Sequence, residues 1–172
     1  MKSVFKSIAT LSVLSLLAAV PVLSVAKPAS AQLIGMNGNY LGGGVSVGVT
    51  DGNSSDVGGN VQGRFDVPLA PVSLRGSVLF SDETAALMPI VSYDIGVAPN
   101  TNVYVGAGYS FVADEGRATP LGDKNAPVIT AGVETGVTRN IALYGDAKLG
   151  IDAYRDSSNP AVSLQVGAAY RF

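Results

Sequence analysis

The chain contains no histidine, no cysteine and no tryptophan. Without histidine, neither the Ser-His-Asp nor the Cys-His arrangement for nucleophilic catalysis can be assembled. Without cysteine there are no disulfides, no thiolate metal site and no lipid attachment through an N-terminal cysteine, and the usual zinc ligands are gone. Charge is scarce too: 14% of residues are charged, against 47% hydrophobic. After Ala26 no apolar run approaches the ~20 residues that a membrane-crossing helix requires. Low charge and high apolar content without such a run is unusual for a soluble protein. It suits a barrel that turns its apolar face to lipid.

What is present begins with an export signal. Lys2 and Lys6 make a positive start, an apolar run follows from Ile8 to Ala26, and Ala29-Ser30-Ala31 supplies a small-x-small cleavage site. Residues 1–31 therefore read as a helical secretory signal peptide, with Ala29 and Ala31 flanking the cleavage motif and residues 32–172 as the mature protein. The competing reading is a membrane anchor, because the run is long; Pro21, the serines within it and the cleavage motif favour export. Cleavage removes Lys2, Lys6 and Lys27, leaving 141 residues with 8 basic against 13 acidic side chains. That is one domain in length. Its acidic balance disfavours nucleic acid, which needs a basic footprint.

The mature sequence alternates with period two, punctuated by Gly, Pro, Asn and Asp, and this predicts eight strands. Their expected bounds are 40–50, 60–69, 72–80, 87–97, 101–112, 127–138, 141–152 and 161–172. The last segment is the clearest. Val162, Leu164, Val166, Ala168, Tyr170 and Phe172 share one face, and Ala161, Ser163, Gln165, Gly167, Ala169 and Arg171 share the other. The connections alternate as well. Ala70-Pro71, Ala98-Pro99-Asn100 and Arg139-Asn140 are short, whereas 51–59, 81–86, 113–126 and 153–160 are longer. Short turns at one end and long loops at the other suit an up-and-down antiparallel barrel spanning a membrane.

Charge placement orients the faces. Arg64, Asp66, Arg75, Asp94, Glu134, Asp146, Lys148 and Arg171 all fall on the polar faces of their segments. On a lipid-facing surface, Arg or Lys at mid-bilayer costs ~2–4 kcal/mol; a soluble barrel has the opposite sense, apolar inside and charged outside. The apolar faces carry aromatics near their ends. Phe65, Tyr93, Tyr170 and Phe172 lie toward the short turns, and Phe80, Tyr109 and Phe111 toward the long loops. Two such bands read as membrane-interface girdles; the alternative is ordinary core aromatics in a β-sandwich. Four positive and four negative charges on the polar face are expensive to bury unless paired. A lumen charge network is therefore expected, with Asp66 beside Arg75 across the second turn. Glycines on the same face leave room for a narrow water path, so a gated pore stands beside a plugged interior.

A strand with apolar residues at every second position back from a terminal Phe, here Leu164, Val166, Tyr170 and Phe172, resembles the assembly signature of bacterial outer-membrane β-barrels. Over nearly all of residues 32–172 the pattern is similar to the small OmpA/OmpX-type barrels, a family of barrel domains and surface antigens. The resemblance implies an eight-stranded transmembrane barrel in the cell outer membrane, exported through the secretory pathway. It implies recognition of the last strand by the outer-membrane assembly machinery, and outer-membrane lipid and lipopolysaccharide as surroundings. The periplasmic peptidoglycan-binding domain of full OmpA-type proteins is not expected, and the loops are shorter than those of adhesin-type relatives. Barrel enzymes that process lipid A or cleave proteins resemble this architecture but use a catalytic histidine.

Other chemistry finds little support. Asp94, Glu134 and Asp146 could in principle supply an acid–base pair, but a structural salt-bridge role accounts for them better. Asp51-Gly52-Asn53-Ser54-Ser55-Asp56 resembles half a calcium loop, yet lacks the Gly at its sixth position and has Gln62 where the twelfth-position Glu belongs. The glycine clusters do not stand between a strand and a helix, as a nucleotide loop would. No catalytic or metal-ligating residue is assigned and no cofactor is expected. The long loops hold Asp51, Asp56, Asp82, Glu83, Asp114, Glu115, Asp123, Asp152 and Asp156 against Arg117, Lys124 and Arg155. These oxygen-rich loops are candidates for loosely bound Ca²⁺ or Mg²⁺ bridging to lipopolysaccharide phosphates. The expectation is a monomeric, non-enzymatic outer-membrane barrel with a structural or surface role and a plugged lumen. Its alternatives are a low-conductance porin and a soluble secreted barrel or sandwich.

Overall fold

Antiparallel pairing links the strands in chain order and closes on itself in the computed structural model, which describes residues 35–50 and 57–172. The signal segment, with Ala29 and Ala31, and the Asp51–Asp56 loop lie outside the described residues. The strands are β1 Tyr40–Gly48, β2 Val57–Asp66, β3 Val72–Phe80, β4 Ala85–Ala98, β5 Thr101–Val112, β6 Ala126–Gly136, β7 Ile141–Gly150 and β8 Ala161–Arg171. Each of the eight expected segments is one of these strands. The largest boundary difference is at β2, which begins at Val57 and ends at Asp66. The Val67–Pro71 turn takes the residues that periodicity had assigned to its end.

Register fixes the geometry. Tyr40 pairs with Arg64, Arg64 with Arg75, Arg75 with Ile90, Ile90 with Gly108, Gly108 with Val128, Val128 with Gly150 and Gly150 with Ala161. Ser163 pairs with Gly48, so Ala161 stands level with residue 50, ten positions from where the circuit began. Such stagger tilts the strands into the ~35–45° range that closes a barrel of this size. Two irregularities fall in β4. The β4–β5 register shifts between Gly96 and Ala98, and the same ladder has no partners for Met88 and Pro89, where proline lacks the N–H a ladder bond needs.

Connections at one end are Val67–Pro71, Pro99–Asn100 and 137–140; at the other they are 49–56, 81–84, 113–125 and 151–160. The expected long connection after β3 is in fact tight, because Ala85 and Ala86 join β4 and Ser81 N–H donates to Thr84 O at 2.9 Å. The Pro99-Asn100 turn places Asn100 at a φ of 57°, a left-handed conformation that Asn tolerates. Leu69, at the tip of the Val67–Pro71 turn, has a φ of 66° and is fully exposed.

The barrel is inside-out relative to a soluble one. Leu74, Val91, Val133, Leu143, Leu164 and Val166 lie outside and about half exposed, whereas Arg64, Lys148 and Glu134 are 2%, 1% and 0% exposed. Phe65, Phe80, Tyr93, Tyr109, Phe111, Tyr170 and Phe172 all stand on the outer surface, with Tyr109 and Phe111 in tilted contact at 5.0 Å. Among the described residues no helix is long and apolar enough to cross a membrane; any crossing is made by strands.

Candidate functional site

Period-two alternation aims every even position of β1, β2, β4, β5, β6 and β7 into the lumen, and there the charges meet. Arg64 and Arg75 are direct register partners on β2 and β3. Two guanidiniums side by side need carboxylates between them, and Asp94 and Glu134 reach in from β4 and β6 to supply them. Asp94 Oδ2 accepts from Arg64 Nη2 at 2.9 Å and its Oδ1 from Arg75 Nη2 at 3.0 Å. Glu134 Oε2 lies 2.8 Å from Arg75 Nη1, and its Oε1 lies 3.3 Å from Arg64 Nη1. Neutral side chains use up the remaining sites. Arg64 Nε donates to Ser73 Oγ at 2.9 Å, Arg75 Nε to Ser92 Oγ at 2.8 Å, and Asn102 Nδ2 to Glu134 Oε1 at 3.1 Å. Ser73 Oγ also donates to Asp94. The Arg75 guanidinium lies 3.6 Å over the Tyr104 ring, which adds a cation–π contact.

A second cluster sits deeper. Lys148 Nζ donates to Asp146 Oδ1 at 2.6 Å and reaches Gln62 Oε1 at 3.4 Å, while Tyr104 Oη donates to Asp146 Oδ2 at 2.8 Å. Gln62 Nε2 donates to Tyr40 Oη at 3.0 Å, and Tyr40 Oη donates to Glu134 Oε2 at 3.1 Å. Gln62 and Tyr40 therefore join the two clusters across the lumen.

Of the eight sequence-expected charges, seven lie in ion pairs. Asp66 pairs with Arg64 at 3.1 Å, not with Arg75 as the turn had suggested. The register explains this: Asp66 stands opposite Ser73, so Arg75 is already level with Arg64 and points deeper. Among the described residues Arg171 joins no carboxylate. It donates to Asn37 O at 2.8 Å and Thr138 O at 3.3 Å at the barrel mouth, because β8 ends there. Two lumen glycines stand against tyrosines. A Cβ on Gly132 would stand 2.6 Å from the Tyr104 ring, and one on Gly167 2.4 Å from Tyr144 Oη. Those two glycines make room for tyrosine side chains that reach into the lumen.

Two closures were not foreseen. Residues 35–39 cross the short-turn mouth: Met36 N donates to Asn102 Oδ1 at 3.0 Å, Met36 O accepts from Asn102 Nδ2 at 2.7 Å and from Arg64 Nη1 at 3.1 Å, and Gly38 O accepts from Arg64 Nη1 at 3.2 Å. Met36 is buried with Tyr40, Ala142, Tyr144 and Ala169. Beside this strap a cavity of about 450 Å³ is lined by Arg64, Asp66, Asp94, Asn102 and the Val67–Pro71 turn. At the other end the lumen is apolar. Leu79, Met88, Ile90, Ala126, Val128 and Ala161 pack with Leu121 and Ala153 from the loops. The 113–125 loop is held in place where Ser81 Oγ donates to Ala118 O at 2.6 Å, Asp123 N to Ala153 O at 3.0 Å, and Arg155 N to Asp123 Oδ1 at 2.9 Å. Among the described residues no group of three or more carboxylates converges as a metal site, and Lys124 takes up Asp152 at 2.8 Å.

No protein-family model and no curated protein sequence matches the chain. Solved structures do. A de novo designed transmembrane β-barrel aligns at a TM-score of 0.55 and 20% identity, covering 78% of this chain and 96% of the design. Neisserial surface protein A aligns at 0.54 and 14% identity, covering 79% of this chain and 98% of its own. The N-terminal β-barrel domain of Pseudomonas aeruginosa OprF aligns at 0.51 and 17%, covering 78% and 96%. Closure, strand number and these alignments agree on one fold: the chain is a small eight-stranded antiparallel β-barrel of the transmembrane type.

Proposed function

We propose that the chain is an integral outer-membrane β-barrel with a structural or surface role, its lumen plugged by the ion-pair network. The observation that carries this reading is the inversion of burial. In water, a wall of half-exposed Leu, Val and Phe around fully buried Arg, Lys and Glu is unfavourable on both faces. In hydrocarbon the outer wall is solvated by lipid, and the charges pair within. The aromatic bands, the export signal and the Leu164–Val166–Tyr170–Phe172 face support the same setting, with lipid and lipopolysaccharide around the barrel and the assembly machinery as its transient partner.

A low-conductance porin is the second reading, and the cavity at the short-turn mouth favours it. That cavity opens onto Arg64 and Asp94 and leads into the paired layer, so a conducting form requires those pairs to part. The test of membrane residence is expression of the full chain in a Gram-negative host, with envelope fractionation and a heat-dependent gel-mobility assay for the folded barrel. The folded protein is expected in the outer-membrane fraction, and Val166→Arg is expected to deplete it there. Recovery of the mature chain as a detergent-free soluble protein contradicts the proposal.

A further inference from the structure

Around the Lys148–Asp146 pair, three buried side chains have no hydrogen-bond partner among the described residues. Ser77 Oγ, Ser163 Oγ and both polar atoms of the Gln165 carboxamide are enclosed and make no hydrogen bond. Ser77 and Ser163 are 0% exposed and Gln165 is 5% exposed. Register places all three around one feature, the Gln62–Lys148 bridge across the lumen. Ser77 is the direct partner of Gln62, Ser163 of Lys148, and Gln165 of Asp146 and Ser46. A buried polar atom left unpaired is costly, and native proteins nearly always supply it with a partner.

We propose that Ser163 and Gln165 on β8, and Ser77 across the lumen on β3, each hold bound water beside the Gln62–Lys148 bridge. The chemistry of the unpaired atoms selects the ligand. Gln165 Nε2 offers donors, Gln165 Oε1 needs a donor, and each hydroxyl both gives and accepts. A cation has nothing to offer Nε2, and an anion has nothing to offer Oε1. Lys148 is already neutralised by Asp146, so the site calls for no net charge. A small neutral molecule that donates and accepts, with two to four polar partners, is water. At roughly one buried water per ~27 residues, a barrel of this length is expected to hold several.

The site alters which layer keeps the barrel closed. Ser77 is the register partner of Met88 and stands two residues from Leu79, and Ser163 stands two residues from Ala161, so the wet side chains border the apolar cluster that forms the dry step toward the loop end. Hydration here depends on the barrel fold and is independent of whether the lumen conducts.

The test is a water-selective NOE experiment on ¹⁵N-labelled residues 32–172 folded in detergent micelles. Cross-peaks from long-lived water to the Gln165 Nε2 protons are expected, with Gln165→Leu removing them and Asn140, exposed in the 137–140 turn, serving as the exchange control. Ser163→Ala and Gln165→Leu are further expected to leave the urea midpoint unchanged or lower it, since each takes a partner from bound water. Absence of the cross-peaks overturns the site. So does a rise in midpoint in both variants, which is the signature of a dry unpaired group. A shift of the Gln165 carboxamide resonance on exchanging chloride for gluconate at constant ionic strength also overturns it, by putting an anion in the place of water. If Gln165→Leu does not fold, the wild-type spectrum and Ser163→Ala decide.

Discussion

The two halves of the lumen solve one problem in opposite ways. Toward the short turns the interior is filled by Arg64, Arg75, Asp94 and Glu134, each holding at least two partners. Toward the long loops it is filled by Leu79, Met88, Ile90, Val128 and a loop residue, Leu121. A charged filling is tied to mutual pairing, because desolvation makes any unpaired member expensive. An apolar filling is tied only to volume and contact, and tolerates partial collapse. Removing one residue from the charged half is therefore expected to be the more damaging change.

Glu134→Ala provides the largest contrast. It leaves two guanidiniums short of a carboxylate, and a loss of about 3–5 kcal/mol is expected for breaking buried pairs. Equilibrium unfolding in urea from lipid vesicles, followed by tyrosine fluorescence since tryptophan is absent, measures it. Leu79→Ala in the apolar half is expected to cost about 2–4 kcal/mol in the same assay, within the range for a large-to-small core change. If Leu79→Ala costs more than Glu134→Ala, the ordering of the two halves is wrong. Asp66→Ala is expected to cost about 1 kcal/mol or less, because its carboxylate is 27% exposed at the mouth and Arg64 keeps Asp94 and Glu134. Lys124→Ala, which removes the exposed pair with Asp152, is expected to change stability by less than ~0.5 kcal/mol. A large effect there would mean the loop crown carries stability assigned here to the lumen.

Strand number, order and facing were legible because alternation is a local property. Seven lumen charges found their faces from position parity alone. Their pairing did not follow from parity, since which charges meet depends on register: Asp66 and Arg75 looked adjacent across a turn, but a five-residue turn sets Asp66 against Ser73. The apolar half was hidden for a related reason. From Ala85 to Val91 every residue is apolar, so Met88 and Ile90 inside cannot be told from Leu87 and Val91 outside. The strap at 35–39 precedes the first alternating segment and carries no period. Its one sequence cue is an isolated Met36 between glycines. A lumen glycine such as Gly132 suggests room because its side chain is missing; the Tyr104 ring from the neighbouring strand takes that room.

The most direct test of a plugged lumen is single-channel recording on residues 32–172 reconstituted in planar bilayers, with insertion verified by protease protection in vesicles of the same lipid. Intact pairs at one end and an apolar layer at the other predict a protein that inserts and stays electrically silent. Discrete conductance steps from the wild-type protein, altered in amplitude by Glu134→Ala, would contradict the plug and make the low-conductance porin the better description.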